Sequence, residues 1–403
     1  MRILFLSLTF PLPANNGYRM RIWAILRALA AEGHDTSLLT FASPGEAADT
    51  KPLLAACRNV EVVPLTLVRL AGQTNYLDRL RGVASLLPYG VTRFASVTMQ
   101  KRIMNLLETE RFDAVVAEAP HALINLPLDL PVPLILDDQN LEHMILRRYF
   151  DTERNLAKKY YAWWEWWKLR NWERKACSRA KLTFVCSEHD RSGMSAMCPQ
   201  AKIMVVPNII DFDAYAPAID SKLSTVVYVG GLDWLPNRDA VEFFVTSIFP
   251  ELRKLAPEIV FVSAYSADHA PPQEFLDRFA SIPHVQFLET PDVRKVMAEA
   301  GVFVVPIRIG SGTRFKILEA AAMTKPIVST HIGAEGLGFE DEKEIRLVDA
   351  PVAFARAVAD LLADSRARNA MGQAARQRVA EHYSFPVLRK TLGRALRELS
   401  QEG

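Results

Sequence analysis

Gly310-Ser311-Gly312-Thr313-Arg314-Phe315-Lys316, with Glu319 shortly beyond, is the part of this chain best equipped to hold an anion. An apolar run ends at Pro306 and a helix is predicted over 313–323. Glycines beside a helix N-terminus present a nest of backbone N–H groups to phosphate oxygens. Arg314 and Lys316 place two cations in the first turn. There they oppose the helix dipole, at a cost of a few tenths of a kcal/mol up to about 1 kcal/mol, which an adjacent anion relieves. Glu319 stands one turn after Phe315 on the same face, and its carboxylate can accept hydrogen bonds from a ribose diol. The plainer reading is a surface helix of mixed charge.

Other candidates follow apolar runs in the same way. Gly230 and Gly231 come directly after the run 225–229, and Arg238 opens a helix. Near the N-terminus, 11–19 reads PLPANNGYR, where Gly17 permits close backbone approach, the coming helix favours an anion, and Arg19 and Arg21 add charge. Glu118 and His121 follow the run 114–117, and Asp137, Asp138, Asn140 and Glu142 follow or end the run 134–137. Polar groups just past buried strands are placed to read hydroxyls, although Asp137, Asp138 or Asn140 can equally cap a helix, and the glycine turns can be ordinary connections.

The elements that must position these residues alternate. Strands are predicted at 3–7, 36–41, 60–64, 114–117, 134–137 and 182–186, then at 225–229, 259–263, 285–288, 302–305 and 327–329. Helices are predicted at 18–32, 238–255 and 313–323, and at 352–362, 365–382 and 386–399 near the end. Alternation of this kind implies parallel sheets with helices on both faces, and ligands outside the carboxyl ends of the strands. The proline-bearing stretch 207–217 (PNIIDFDAYAP) reads as a linker between two α/β domains.

With 403 residues, 50% of them hydrophobic, the chain can fill two cores. A net charge of +2 argues against a nucleic-acid partner and is compatible with weak attraction to an acidic membrane. Cys57, Cys177, Cys186 and Cys198 show no metal-like spacing and fit reduced thiols in the cytoplasm. The opening MRILFLSL reads as a buried first strand rather than a leader, because it runs into Pro11 and Pro13 without a small-residue cleavage site.

In these motifs the chain resembles the retaining glycosyltransferases of family 4, over essentially its whole length. The resemblance rests on Asn16-Gly17-Tyr18-Arg19, Val185-Cys186-Ser187-Glu188, Val206-Pro207-Asn208-Ile209-Ile210-Asp211, Gly230-Gly231-Leu232 with Pro236-Asn237, and above all on Gly310-Ser311-Gly312-Thr313-Arg314-Phe315-Lys316 with Glu319. Lys325-Pro326-Ile327-Val328 and Gly333-Ala334-Glu335-Gly336 add to it. It implies the GT-B fold: two Rossmann-like doubly wound domains facing across a cleft, 1–206 for the acceptor and 207–384 for the donor. The helix in 385–403 is then expected to return to the first domain.

The activity implied is transfer of a sugar from a UDP- or GDP-linked donor to a glycan or lipid-linked acceptor, in surface polysaccharide or glycoconjugate assembly. Gly17, Arg19, Gly230, Gly231, Arg238, Gly310, Ser311, Gly312, Thr313 and Glu319 are then assigned to the donor. Asn16, Asp137 and Asn140 are assigned to the acceptor, and Glu118, His121, Arg314 and Lys316 to catalysis. No metal is expected, since cations and amides neutralise the diphosphate. Asp211-Phe212-Asp213 imitates a metal-binding D-x-D but reads as a linker turn.

Three departures stand out. The family's E-x7-E keeps its second glutamate as Glu319 but has Ser311 at the first. Asn237 stands near a usual lysine, so Arg314 and Lys316 are expected to neutralise the diphosphate. Glu118 takes the place of a usual histidine, with His121 close by. A nucleotide-sugar epimerase and a catalytically silent sugar-nucleotide-binding subunit remain as rival readings.

One stretch lies outside this scheme. Five of the seven tryptophans fall between Trp163 and Trp172, and 147–175 carries nine Lys/Arg against four Asp/Glu. Tryptophan with basic residues suits contact with the inner face of a membrane. The tryptophans point around most of a helix, however, so the favoured expectation is a long helix whose aromatics fill the core of the first domain.

Overall fold

The computed structural model describes residues 1–43, 49–65, 82, 85–217 and 222–401, without the side chains of 222 and 223. It divides into two units, Met1–Asn208 with Phe385–Gly403, and Ile209–Ser384.

The first unit is built on seven parallel strands: β1 (Arg2–Ser7), β2 (Asp35–Ala42), β3 (Asn59–Pro64), β4 (Ala114–Glu118), β5 (Leu134–Asp138), β6 (Leu182–Val185) and β7 (Ile203–Val205). Their order is β3-β2-β1-β4-β5-β6-β7. Runs such as Ile3-Leu4-Phe5-Leu6 are apolar at every position because helices cover both faces of the sheet. The second unit has six parallel strands: β8 (Lys222–Val229), β9 (Val260–Tyr265), β10 (Val285–Glu289), β11 (Ala300–Val305), β12 (Ile327–Ser329) and β13 (Arg346–Leu347), in the order β10-β9-β8-β11-β12-β13. Strand order reverses between β1 and β4 in one sheet and between β8 and β11 in the other. Such switch points are where doubly wound sheets bind ligands.

The helices that bear on function are α1 (Gly17–Ala31), α2 (Glu142–Thr152), α3 (Leu156–Arg179), α4 (Leu235–Phe243), α5 (Phe315–Ala322) and α6 (Phe385–Gln401). The Asn16 side chain caps α1 by accepting from Arg19 N–H at 3.1 Å. The last helix, α6, packs on α1: Arg389 reaches Glu32 at 2.9 Å and the Arg27 guanidinium lies over the Phe385 ring.

Two strands escape the sequence pattern, β7 and β13, because three and two residues are too short for a period to show. The expected helix 238–255 is α4 followed by a wide π-helical turn, Phe244–Ile248, and a further helix, Phe249–Leu255. The helix expected from Thr313 begins at Phe315, which leaves Arg314 at the cap rather than in the first turn.

The long helix expected for the Trp-rich segment is present as α3 and packs into the first unit, but its tryptophans do not fill the core. The inward face of α3 carries Ala162, Glu165, Lys168, Leu169, Glu173, Ala176 and Cys177. Trp172 alone of its tryptophans packs against the apolar core cluster, while Trp163 and Trp167 are 43% and 41% exposed. Glu165 pairs with Lys168 at 2.5 Å, and Glu173 meets His143 at 2.5 Å, where burial raises the pKa of the carboxyl and lowers that of the imidazole to about 4, so that both stay neutral.

A buried ion pair ties the first unit together. Arg21 on α1 grips Asp137 at the end of β5, its Nε at 3.1 and 3.0 Å from the two oxygens and its Nη2 at 2.5 Å from Oδ1. Its Nη1 donates to the Val206 carbonyl and to Asn208 Oδ1, both at 2.9 Å. Removing one member of such a pair strands the other in the core. Arg21→Met is therefore expected to cost about 3–5 kcal/mol in urea unfolding, and the double variant with Asp137→Leu to recover most of it. A single-variant cost below about 1 kcal/mol would show that the pair is not the tie described.

Candidate active site

In the second unit the switch point brings together the two glycine loops seen in the sequence. Tyr228, next to last in β8, donates its hydroxyl to Asn237 Oδ1 at 2.6 Å. Lys316 reaches across from α5 and donates to the Tyr228 oxygen at 2.8 Å and to Asn237 Oδ1 at 2.9 Å, with its amine 4.2 Å from the Tyr228 ring centroid. A Cβ on Gly230 would lie 2.7 Å from the amine, so only glycine admits this approach. Part of Lys316 stays at solvent, but its amine is turned in among these groups. Burial, and secondarily the Arg314 guanidinium, push its pKa down to about 7, with Glu319 opposing. Both hydrogen-bond partners are neutral, so the ammonium has no paired carboxylate.

The surrounding residues brace this arrangement. Asn237 donates to the Gly231 carbonyl at 2.7 Å, and Arg238 donates to the Leu232 and Asp233 carbonyls at 2.8 and 2.6 Å. Arg238 thus holds the turn that carries Gly231. Arg314 folds back on its own loop and donates to the Ser311 and Gly312 carbonyls. Gly312 has φ +71°, a conformation natural to glycine, while Gly310, Ser311 and Thr313 are buried beneath the loop. Glu319 accepts from the Tyr215 hydroxyl at 2.6 Å, and burial raises its pKa. Asp211 and Asp213 form a turn in which Asp213 N–H donates to Asp211 Oδ1 at 3.1 Å. Among the described residues no cluster of three or more His, Cys, Asp or Glu is arranged to hold a metal.

In the first unit a second set of groups converges past β1, β4 and β5. Glu142, at the start of α2, accepts from the Tyr18 hydroxyl at 2.5 Å on one oxygen and lies 3.5 Å from His121 Nε2 with the other. Asn140 also hydrogen-bonds Tyr18, whose pKa is raised first by burial and then by Glu142. His121 reaches this point through a sharp backbone turn at Ala119, with φ 68° and ψ 149°. That region belongs almost wholly to glycine and costs about 1–3 kcal/mol for other residues.

Glu118 plays a different part. It is fully buried, accepting from Leu8 N–H at 3.1 Å and from Gln139 at 2.8 Å, and burial pushes its pKa up to about 8. It holds the loop after β1. Asp137 is committed to Arg21, and Asn16 to the α1 cap along with Arg19 N–H and Gly17. Asp138 is buried with no partner for either oxygen, and burial, then Glu173 and Glu142, raise its pKa well above the usual carboxylate range.

The groups that sequence reasoning did not single out are Tyr18, Tyr215 and Tyr228. Tyr18 stood inside the quoted Asn16–Arg19 motif. Tyr215 and Tyr228 find their partners 104 and 88 residues away, and no local pattern announces that.

Residues 15–214 match the family described as Glycosyltransferase Family 4, and residues 224–364 the family described as Glycosyl transferases group 1. The chain is 25% identical over 368 residues to an uncharacterized 44.6 kDa protein in the cps region of Klebsiella pneumoniae, covering 88% of this chain and 89% of that one. It is 30% identical over 242 residues to a GDP-mannose-dependent alpha-(1-6)-phosphatidylinositol monomannoside mannosyltransferase of Mycolicibacterium smegmatis, over 54% of this chain and 61% of that one. Among solved structures, sucrose-phosphate synthase from Thermosynechococcus elongatus superposes with a TM-score of 0.76 at 16% identity, each chain covered in full, which is a likeness of fold.

The depressed Lys316 pKa has a thermodynamic consequence. Between about 7 and 10.5 the unfolded lysine binds a proton that the folded one does not. Burying the amine therefore costs stability in full below about pH 7, and that cost is relieved as pH rises across the window. The unfolding free energy of the wild type minus that of Lys316→Met should rise by up to about 1.4 kcal/mol per pH unit there. A flat difference in urea titrations across that range would refute the burial of the amine.

Proposed function

The chain belongs to glycosyltransferase family 4, with the GT-B fold, and from that premise we propose that it moves a hexose from a nucleotide diphosphate donor to a hydroxyl of a glycan or lipid-linked acceptor, with retention of anomeric configuration. The observation that carries the donor half is Lys316, a cation held only by neutral acceptors at the β8–β11 switch point. Asn237 stands near the position where the family often has lysine. The amine of Lys316 meets Asn237 from the opposite loop, so a diphosphate finds its positive charge there although the residue supplying it has moved. Arg314 and the backbone of the Gly310–Gly312 loop complete the anion site, and Glu319 with Tyr215 reads the ribose.

The first unit supplies the acceptor's groups. His121, with Glu142 beside its Nε2, orients the attacking hydroxyl; Asn140 and Tyr18 complete that surface, and Glu118 and Asp137 hold its loops. The bond between the anomeric carbon and the phosphate oxygen breaks and its electron pair stays on the diphosphate. The acceptor oxygen bonds to the same face of that carbon, and its proton passes to a phosphate oxygen. Charge on the leaving group is met by Lys316, Arg314 and N–H groups, so the scheme calls for no metal. The mannosyltransferase relative supports a nucleotide-sugar donor, and the cps-region relative supports a place in surface polysaccharide assembly. Four free, buried cysteines support a reducing, cytoplasmic setting.

Calorimetric titration with UDP, GDP and their sugars tests this reading. One nucleotide class should saturate, and Lys316→Met and Glu319→Ala should each weaken it roughly tenfold to hundredfold, as loss of a charge-assisted hydrogen bond does. Binding of the diphosphate raises the Lys316 pKa, so affinity is level below about pH 7 and falls as pH rises above it. Introducing Asn237→Lys beside Lys316→Asn should restore binding. No binding by any member, or inverted product stereochemistry by NMR, would overturn the proposal.

A further inference from the structure

We propose that the outward face of α3 is a docking surface for an anionic phospholipid bilayer, with an aromatic anchor at one end and a basic contact at the other. The argument begins with an inversion. Both acids of α3, Glu165 and Glu173, are buried, as is Lys168. Every other charged residue of the helix is basic: Lys158, Lys159, Arg170, Arg174, Lys175 and Arg179. A helix whose acids all turn inward shows solvent one sign of charge.

The apolar side chains on that face form a stripe. Leu156, Tyr160, Trp163 and Trp167 are 69%, 68%, 43% and 41% exposed. Their spacing of four, three and four residues places them within one narrow sector of the helix. The same sector continues with Arg170 and Arg174 in the next two turns. Large aromatics at this exposure are rare on a water-facing helix, and tryptophan and tyrosine favour the headgroup level of a bilayer.

The basic end leads into a shallow concavity lined by Arg174, Lys175, Arg179, Lys181 and Lys202, with no acidic residue in its wall. It lies at the amino ends of β6 and β7, on the side of the sheet away from His121 and Glu142. Anionic headgroups match it, because phosphates meet several cations there, of which Lys202 is paired with Glu398 at 3.3 Å. No described helix is long and apolar enough to cross a membrane, so the contact is peripheral. The aromatic end of α3 follows α2 closely and thus lies toward the carboxyl ends of the strands, where the acceptor groups gather. The proposal stands on α3 alone and does not depend on the transfer chemistry.

Flotation of the full-length protein with phosphatidylcholine vesicles, with and without phosphatidylglycerol, tests it. The protein should float with the anionic vesicles, with a blue shift in tryptophan emission, and be released by salt. Trp163→Ser with Trp167→Ser should weaken partition roughly tenfold or more, and Arg170→Gln with Arg174→Gln by about fivefold per charge. Circular dichroism and urea midpoints check that each pair folds, and either pair suffices if the other does not. Absence of binding, or equal binding to neutral vesicles, would overturn the proposal. So would a dimer in sedimentation velocity that the tryptophan pair abolishes while vesicle binding is absent, since the face would then belong to a second copy of the chain.

Discussion

Parallel strands covered on both faces leave almost no place inside either sheet for an ionisable side chain. Polar groups accumulate instead at the carboxyl ends, where a strand yields to a loop but burial is still nearly complete. Glu118 is the last residue of β4, Asp137 and Asp138 close β5, and Tyr228 is next to last in β8. Each has lost its water, so each must find a partner or hold its neutral form. The local chemistry of both units follows from that constraint.

The chain meets it in different ways, and the differences separate support from function. Asp137 is answered by Arg21 through charge and paired hydrogen bonds. Glu118 takes a backbone N–H and an amide. Lys325, fully buried, donates to the Ala298 and Ala300 carbonyls at 2.6 and 3.1 Å and is satisfied at the amino end of β11. Lys316 alone of these is left with a phenol and an amide, both neutral, beside a second cation. A structural lysine gains nothing from that environment, whereas an anion-binding one loses little by it, because the ligand supplies the missing charge.

Much of this was legible in the sequence for a physical reason. Fully covered strands are continuous apolar runs, and the glycines that follow them mark backbone approach. The covered strands are therefore readable from the chain alone, as are both glycine loops, while the edge strands β3 and β10 are partly exposed and read from their Val and Phe content. Register across a sheet is not local. That Lys316 meets Tyr228 and Asn237 depends on β8 lying beside β11, which no window of sequence contains. Nor does residue type reveal which polar group is spent on the fold: Arg238 reads as a ligand cation, yet it donates to carbonyls of its own loop. Asn16 and Asp137 read as hydroxyl binders and serve as a cap and an ion-pair partner.

The Trp-rich helix shows where pattern reading fails in principle. An amphipathic period assumes that apolar side chains define the buried face. On α3 they are distributed around the axis, so their direction averages out. The informative residues are the two acids. A carboxyl group enters a core where a partner waits for it or where it stays neutral, and Glu173 and Glu165 find His143 and Lys168 there. Once their direction is known, the outward face is determined, and it is the face that carries Tyr160, Trp163 and Trp167 with cations beyond them. Burying acids while exposing tryptophans is costly in water on both counts. The arrangement is reasonable only if the outward face is not always in water, and a surface that is aromatic at one end and predominantly basic at the other narrows what it meets to something apolar beneath and anionic above.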